Sequence, residues 1–145
     1  MLTTNQKGAI AEAAVVNEAV RLGIGIWRPF SDHERYDVIF DLGERLVRVQ
    51  CKHASQRRNV IVVSLRTARR TANGMLRTLY AAGEIDAFAA YCPETDRCYF
   101  LPLAELAGRP SISLRVSAPR NNQERRINWA RDYEFAAKLE AGLGP

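Results

Sequence analysis

Asp37, Gln50 and Lys52 are an acid, an amide and a cation carried by two adjoining segments, Tyr36 to Asp41 and Arg45 to Lys52. Gly43-Glu44 between them reads as a two-residue hairpin turn. In such a hairpin 42 faces 45 and 37 faces 50, so Asp37 stands across from Gln50. Alternation along the second strand keeps Lys52 on the face of Gln50 and sends Val47, Val49 and Cys51 to the other face. A buried hairpin has no need of this trio. Metal-assisted phosphodiester hydrolysis does, because it requires oxygen ligands for a hard divalent cation and an ammonium beside an anionic substrate.

The elements that must position these residues follow from periodicity and punctuation. Asn5 to Leu22 has the spacing of a helix ended by Gly23, with Gly8, Ala11, Val15, Ala19 and Leu22 on one face. Glu12 falls inside that stripe, where a carboxylate is costly unless it is partnered. It is therefore either a half-buried salt-bridge partner or a site residue. Ile24 to Trp27 reads as a short strand stopped by Pro29, and Val60 to Leu65 as a buried strand. The stretch Arg66 to Gly83 reads as a loop leading into a short helix, on the spacing of Met75, Leu76, Leu79 and Tyr80 after an interruption at Asn73-Gly74. Asp86 to Cys92 and Cys98 to Leu103 form a hairpin about the turn residues Pro93 to Asp96. A brief helix at Ala104 to Leu106, an edge strand at Ile112 to Val116, a polar loop at Pro119 to Arg126 and a helix at Trp129 to Leu139 complete the chain. Helix, strands, helix is the order of an α/β or α+β fold with a central mixed sheet.

The chain has 145 residues, 16.3 kDa and 47% hydrophobic content, the size of one domain spanning 1–145. Its apolar runs fall far short of the roughly 18 residues of a membrane span, and its first residues lack a signal-peptide layout. No membrane association and a cytoplasmic location are expected. The three cysteines, Cys51, Cys92 and Cys98, fit a reducing compartment as free thiols, since two thiols without a nearby His do not make a zinc site. The net charge is +5, yet Cys51 to Gly83 holds seven bases and no acid, leaving −2 for the rest of the chain. So concentrated a charge is either a solvated arginine-rich loop or the footprint of a polyanion, and its place just beyond Lys52 favours the polyanion.

Together, Lys7 to Glu12 on a first helix, Tyr36-Asp37 on a strand and Gln50-Cys51-Lys52 on the next resemble the PD-(D/E)XK nuclease superfamily. The chain is most similar to its bacterial group I intron homing endonuclease branch, in which Gln takes the place of an acid in the motif. Gly83 to Pro93 and Asn121-Asn122-Gln123 share that likeness. The resemblance implies a restriction-endonuclease-like core, a central mixed β-sheet flanked by helices. It implies Asp37 as the principal Mg²⁺ (or Mn²⁺) ligand, Glu12 as a second or water-mediated ligand, Gln50 as a weak one and the Cys51 carbonyl as a backbone ligand. Lys52 would orient the attacking water and offset phosphate charge. The family's pattern has a Pro before the acid, where this chain has Tyr36, and Gln50 lowers the negative charge available to a metal.

The implied partner is double-stranded DNA. Arg57, Arg58, Arg66, Arg69 and Arg70 are candidates for phosphate contacts, and Gln56, Arg57, Asn59, Asn121, Asn122 and Gln123 for base edges. One small domain holds one active site and duplex cleavage needs two, so a homodimer or homotetramer is expected. The competing readings are a junction resolvase, a repair or toxin nuclease of the same fold, and an inactive DNA-binding module that lost its acid at Gln50.

Overall fold

The computed structural model describes residues 1–31, 33–80, 83–106, 108–118 and 126–142, and in its strands and last helix the side chains of 67–71, 74–78 and 141–142 lie outside that description. Helix α1, Thr4–Arg21, is set at both ends by its own sequence. The Thr3 hydroxyl accepts from the Gln6 amide (3.1 Å) and the Gln6 side chain accepts from the Thr3 amide (2.8 Å), a reciprocal cap. At the other end the Gly23 amide donates to Val20 and the Ile24 amide to Ala19, a Schellman turn that needs the positive φ of Gly23 (79°). Ala11, Val15 and Ala19 are buried, whereas Gly8 and Leu22, expected on the same stripe, are exposed. The apolar face is thus narrow and small-residued, which lets α1 lie close to the sheet beneath it.

That sheet has five strands: β1 (Gly25–Trp27), β2 (Val38–Asp41), β3 (Leu46–His53), β8 (Ala87–Cys92) and β9 (Arg97–Pro102), in the order β1-β2-β3-β8-β9. Only β3 and β8 run parallel, so the sheet is mixed. One face packs on α1 and on the C-terminal helix α2 (Phe135–Gly142) through Val15, Val38, Phe40, Val49, Phe100 and Phe135. The other face carries Phe88, Ala90 and Leu101 against a second sheet, β11-β10-β5-β4, made of β4 (Ser55–Arg57), β5 (Val60–Ser64), β10 (Ser111–Arg115) and β11 (Asn128–Trp129). The expected central mixed sheet flanked by helices is present; among the described residues α1 and α2 share one face and the second sheet packs on the other. Among the described residues no helix is long and apolar enough to cross a membrane.

Three expectations are corrected. Ile112 to Val116 is not an edge strand, since β10 lies between β11 and β5. Arg66 to Gly83 contains no helix among its described residues but a third, two-stranded sheet, β6 (Arg66–Thr71) with β7 (Gly74–Leu79). Ala72-Asn73 forms its two-residue turn, closed by the pairing of Thr71 with Gly74, so Asn73-Gly74 lies at a hairpin and not at a break in a helix. Trp129 to Leu139 is not one helix either. Asn128–Trp129 pairs in parallel with β10, a 3₁₀ turn spans Ala130–Tyr133, and α2 begins only at Phe135.

Candidate active site

The hairpin β2–β3 keeps the register its turn dictates. Val38 pairs with Val49, Phe40 with Val47 and Asp41 with Leu46, and the Leu42 amide donates to the Arg45 carbonyl (2.9 Å). Gly43 supplies the turn with φ of 91°, and its amide is held by the Asp41 carboxylate at 2.9 Å. The ladder ends at Val38. The Asp37 amide donates to the Val49 carbonyl (2.9 Å), one residue out of step with the pairing that would set Asp37 against Gln50. This bulge-like step re-aims the side chain, a common device beside active sites. The Asp37 carboxylate accepts the Cys51 amide at 2.8 Å.

That hydrogen bond also orients the rest of Cys51. In an extended strand the N–H and C=O of one residue leave on the same side, so the Cys51 carbonyl faces the edge where β2 has ended. Strand β3 overhangs its neighbour there, and the overhang places a free-standing carboxylate beside a main-chain oxygen. Helix α1 brings Glu12 to the same edge, and the segment after β1 brings Arg28, whose guanidinium is ion-paired with Glu12. Glu12, Arg28, Ser31, Glu34, Tyr36 and Asp37 line an open cleft of about 440 Å³. Glu12 is thus both of the things its sequence position allowed, a half-buried ion-pair member and a cleft residue.

Electrostatics place Asp37 between the two faces. Burial pushes its carboxyl above the usual carboxylate range, the Cys51 amide pulls it down, and nearby Glu12 raises it further against Lys52 and Arg28. Burial also holds the Cys51 thiol strongly protonated, with the charges of Asp37 and Glu12 adding to it, and pushes Cys98 up to about 12. These thiols stay neutral, so they offer no thiolate to a soft metal. Lys52 is lowered by burial and raised back by Asp37. Its ammonium donates to the Arg66 carbonyl (2.6 Å) and lies over the rings of Tyr80 and Phe88.

Gln50 is half-buried in register with Phe88; among the described residues its side chain makes no hydrogen bond, and it does not line the cleft. Glu12 and Asp37 share the cleft, the Cys51 amide is bonded to Asp37, and Lys52 is near enough to Asp37 to interact with its charge; Lys52, like Gln50, does not itself line the cleft. Arg57 and Arg58 are exposed at the β4–β5 turn, where Arg58 has φ of 57°, and the Gln56 side-chain Nε2 donates to the Arg58 carbonyl (2.9 Å). Arg66 is exposed at the start of β6. The side chains of Arg69 and Arg70, and the residues Asn121, Asn122 and Gln123, lie outside the described residues. Arg28 was missed in the sequence because it sits in a Pro-flanked segment with no spacing relation to Glu12; only the fold joins them.

Among the described residues there is no group of three or more His, Cys, Asp or Glu that could hold a metal ion. The cleft carries the carboxylates of Glu12, Glu34 and Asp37, with the Cys51 main-chain carbonyl beside Asp37, all hard oxygens. This set is too small for a closed protein cage and fits an ion that keeps most of its waters.

A family model described as PD-(D/E)XK endonuclease matches residues 2–136. Among solved structures, that of the bacterial homing endonuclease I-Ssp6803I is similar at a TM-score of 0.75 and 26% identity, with 98% of each chain covered. Among curated proteins nothing matches. The mixed α/β architecture is the restriction-endonuclease-like one.

Proposed function

Because the chain belongs to the PD-(D/E)XK endonuclease family and is a nuclease, we propose that it cuts double-stranded DNA at specific sites in the manner of a homing endonuclease, with Mg²⁺ or Mn²⁺ as its metal. The observation that supports this most is the fork at the end of β2. There Asp37 is hydrogen-bonded to the Cys51 amide, Glu12 lines the same cleft, and Lys52 is near enough for its charge and that of Asp37 to favour each other. Nucleases of this family typically use divalent metals, and the oxygen donors here fit one.

Asp37, Glu12 and the Cys51 carbonyl would hold the ion. Once bound, it would polarise the phosphate and lower the pKa of a coordinated water. The chain's own groups do the remainder. Lys52 presents its ammonium to the scissile phosphate as a point charge. Gln50, neutral and next to the Cys51 carbonyl, positions water or substrate without adding charge. Arg28 neutralises Glu12 in the cleft they share, and with a metal on Glu12 its guanidinium would be available to a phosphate. Arg57, Arg58 and Arg66 contact phosphates, and two or four copies of the chain supply the paired sites that duplex cleavage needs.

The test is incubation of the purified protein with long duplex DNA and Mg²⁺. Discrete fragments, lost in Asp37→Ala and Lys52→Ala, are the expected result. Absence of nicking under any divalent ion, or fragments unchanged in both variants, overturns the proposal, and preferential cutting of branched DNA would assign the site to junction resolution instead.

A further inference from the structure

The contacts that hold Lys52 come from an unexpected quarter. Its ammonium lies 5.6 Å from the ring centre of Tyr80 and 5.9 Å from that of Phe88, and it donates to the Arg66 carbonyl at 2.6 Å. Phe88 belongs to the core of the main sheet, but the other two partners belong to the basic hairpin. Arg66 is the first residue of β6 and pairs with Leu79, and Tyr80 follows directly on β7. The Tyr80 ring stands edge-on to Phe88, with centroids 5.2 Å apart and planes at 84°, and takes the Arg35 guanidinium at 4.9 Å. Arg35 is in turn ion-paired with Glu84 at 3.1 Å. Two rings and a carbonyl thus form a seat for one ammonium, and the foot of the hairpin supplies two of the three.

A lysine stem has about 2 kcal/mol of rotamer entropy, so an unsupported ammonium samples many positions. A phosphate-facing charge is useful only where it is held. We propose that Tyr80 is a positioning residue for Lys52, and that the β6–β7 hairpin fixes where the ammonium stands in addition to any contact its arginines make with DNA. The inference rests on the role of Lys52 in cleavage given above. Placement of the hairpin and placement of the lysine are then one equilibrium: whatever moves the hairpin on DNA moves the ammonium.

The chain has only three lysines, Lys7, Lys52 and Lys138, so protein labelled with ¹³C at the lysine ε-carbon gives three methylene signals in NMR spectra. Lys7 is exposed on α1 and serves as the reference, while Lys138 lies over Tyr133 and is identified through Lys138→Arg. The Lys52 signal should be shifted upfield by the rings, keep that shift in Tyr80→Phe and lose the Tyr80 share of it, about half, in Tyr80→Leu. At saturating DNA and Mg²⁺, single-turnover cleavage should fall about 10-fold or more in Tyr80→Leu. Tyr80→Phe should stay close to wild type, and DNA affinity measured with Ca²⁺ should be nearly unchanged in both.

A wild-type Lys52 signal without the ring shift overturns the proposal, and this needs no variant to fold. So does Tyr80→Phe slowed as much as Tyr80→Leu, or affinity lost in step with rate. A protein that shows the shift and its dependence on Tyr80 but cuts no DNA contradicts the nuclease assignment of the site and leaves the seat standing.

Discussion

Asp37 is held where a carboxylate is uncomfortable. It is half-buried, faces Glu12, and has its carboxyl raised by burial before any other influence. In the folded chain it keeps its proton to higher pH than in the unfolded chain. Stability is therefore lost as pH climbs from the ordinary value of 3.8 through the raised one, and the loss persists at neutral pH. Asp37→Asn retains an acceptor for the Cys51 amide and removes the charge. It should abolish cleavage and, in metal-free buffer at pH 7, raise stability by about 0.5–1 kcal/mol in thermal melts. Divalent ions should raise the melting temperature of the wild type and not of this variant. Arg28 predicts an effect of the opposite kind. It competes with a cation for Glu12, so Arg28→Ala should tighten Mn²⁺ binding by roughly 2- to 5-fold in calorimetry, consistent with the modest worth of an exposed ion pair. An unchanged or weaker Mn²⁺ affinity would mean that Arg28 does not occupy the metal's place.

At the scale of elements, two features fix the site's frame. One is the β3–β8 junction, where Arg48 clamps Asp86 from side chain and backbone at 2.8 to 3.1 Å. Burial alone would raise the Asp86 carboxyl, but these hydrogen bonds outweigh it and leave it below the usual range. The stabilisation is complete above the unfolded value of 3.8 and is lost as pH falls through the lower folded one. Asp86→Asn should cost about 1–3 kcal/mol at pH 7 in urea unfolding, a difference that closes in acid. The other is the triad Phe40, Phe100 and Phe135, with ring centres 5.7 to 6.4 Å apart, which pins α2 to the sheet. Phe135→Ala should cost about 3–5 kcal/mol.

The elements also show what could be read from the sequence. The β2–β3 register was legible because a turn of two residues leaves one arithmetic, and Gly43 supplies the conformation that turn requires. The bulge at Asp37 was not, since an ordinary alternation shows no sign of a ladder that stops one residue early. The β6–β7 hairpin was hidden because Met75, Leu76, Leu79 and Tyr80 imitate a helical face, although Asn73-Gly74 is among the stronger hairpin signals. Glu12 could be picked out as an acid on an apolar stripe. Its partner Arg28, and the seat that Tyr80 makes for Lys52, depend on tertiary contacts that no spacing encodes.

For the molecule as a whole, charge and architecture point one way. The net charge is +5, the bases from Lys52 to Arg77 follow directly on the site strand, and Arg57 and Arg58 project from an exposed turn. Such residues position a phosphate backbone without reading sequence. The double variant Arg57→Ala with Arg58→Ala should weaken binding to all duplex sequences alike and flatten the log–log salt dependence by about 2. A loss confined to one sequence would make these residues base readers.

The central claim is that the fork between β2 and β3 is a metal centre. Crystals of the protein with Mn²⁺ and uncleaved duplex, measured at the manganese absorption edge, test it most directly. An anomalous peak should lie between the Asp37 carboxylate and the Cys51 carbonyl, on the side facing Glu12, with the Lys52 ammonium directed at the phosphate beside it. Manganese bound only elsewhere, in a complex that goes on to cut its DNA when warmed with Mg²⁺, would contradict the account.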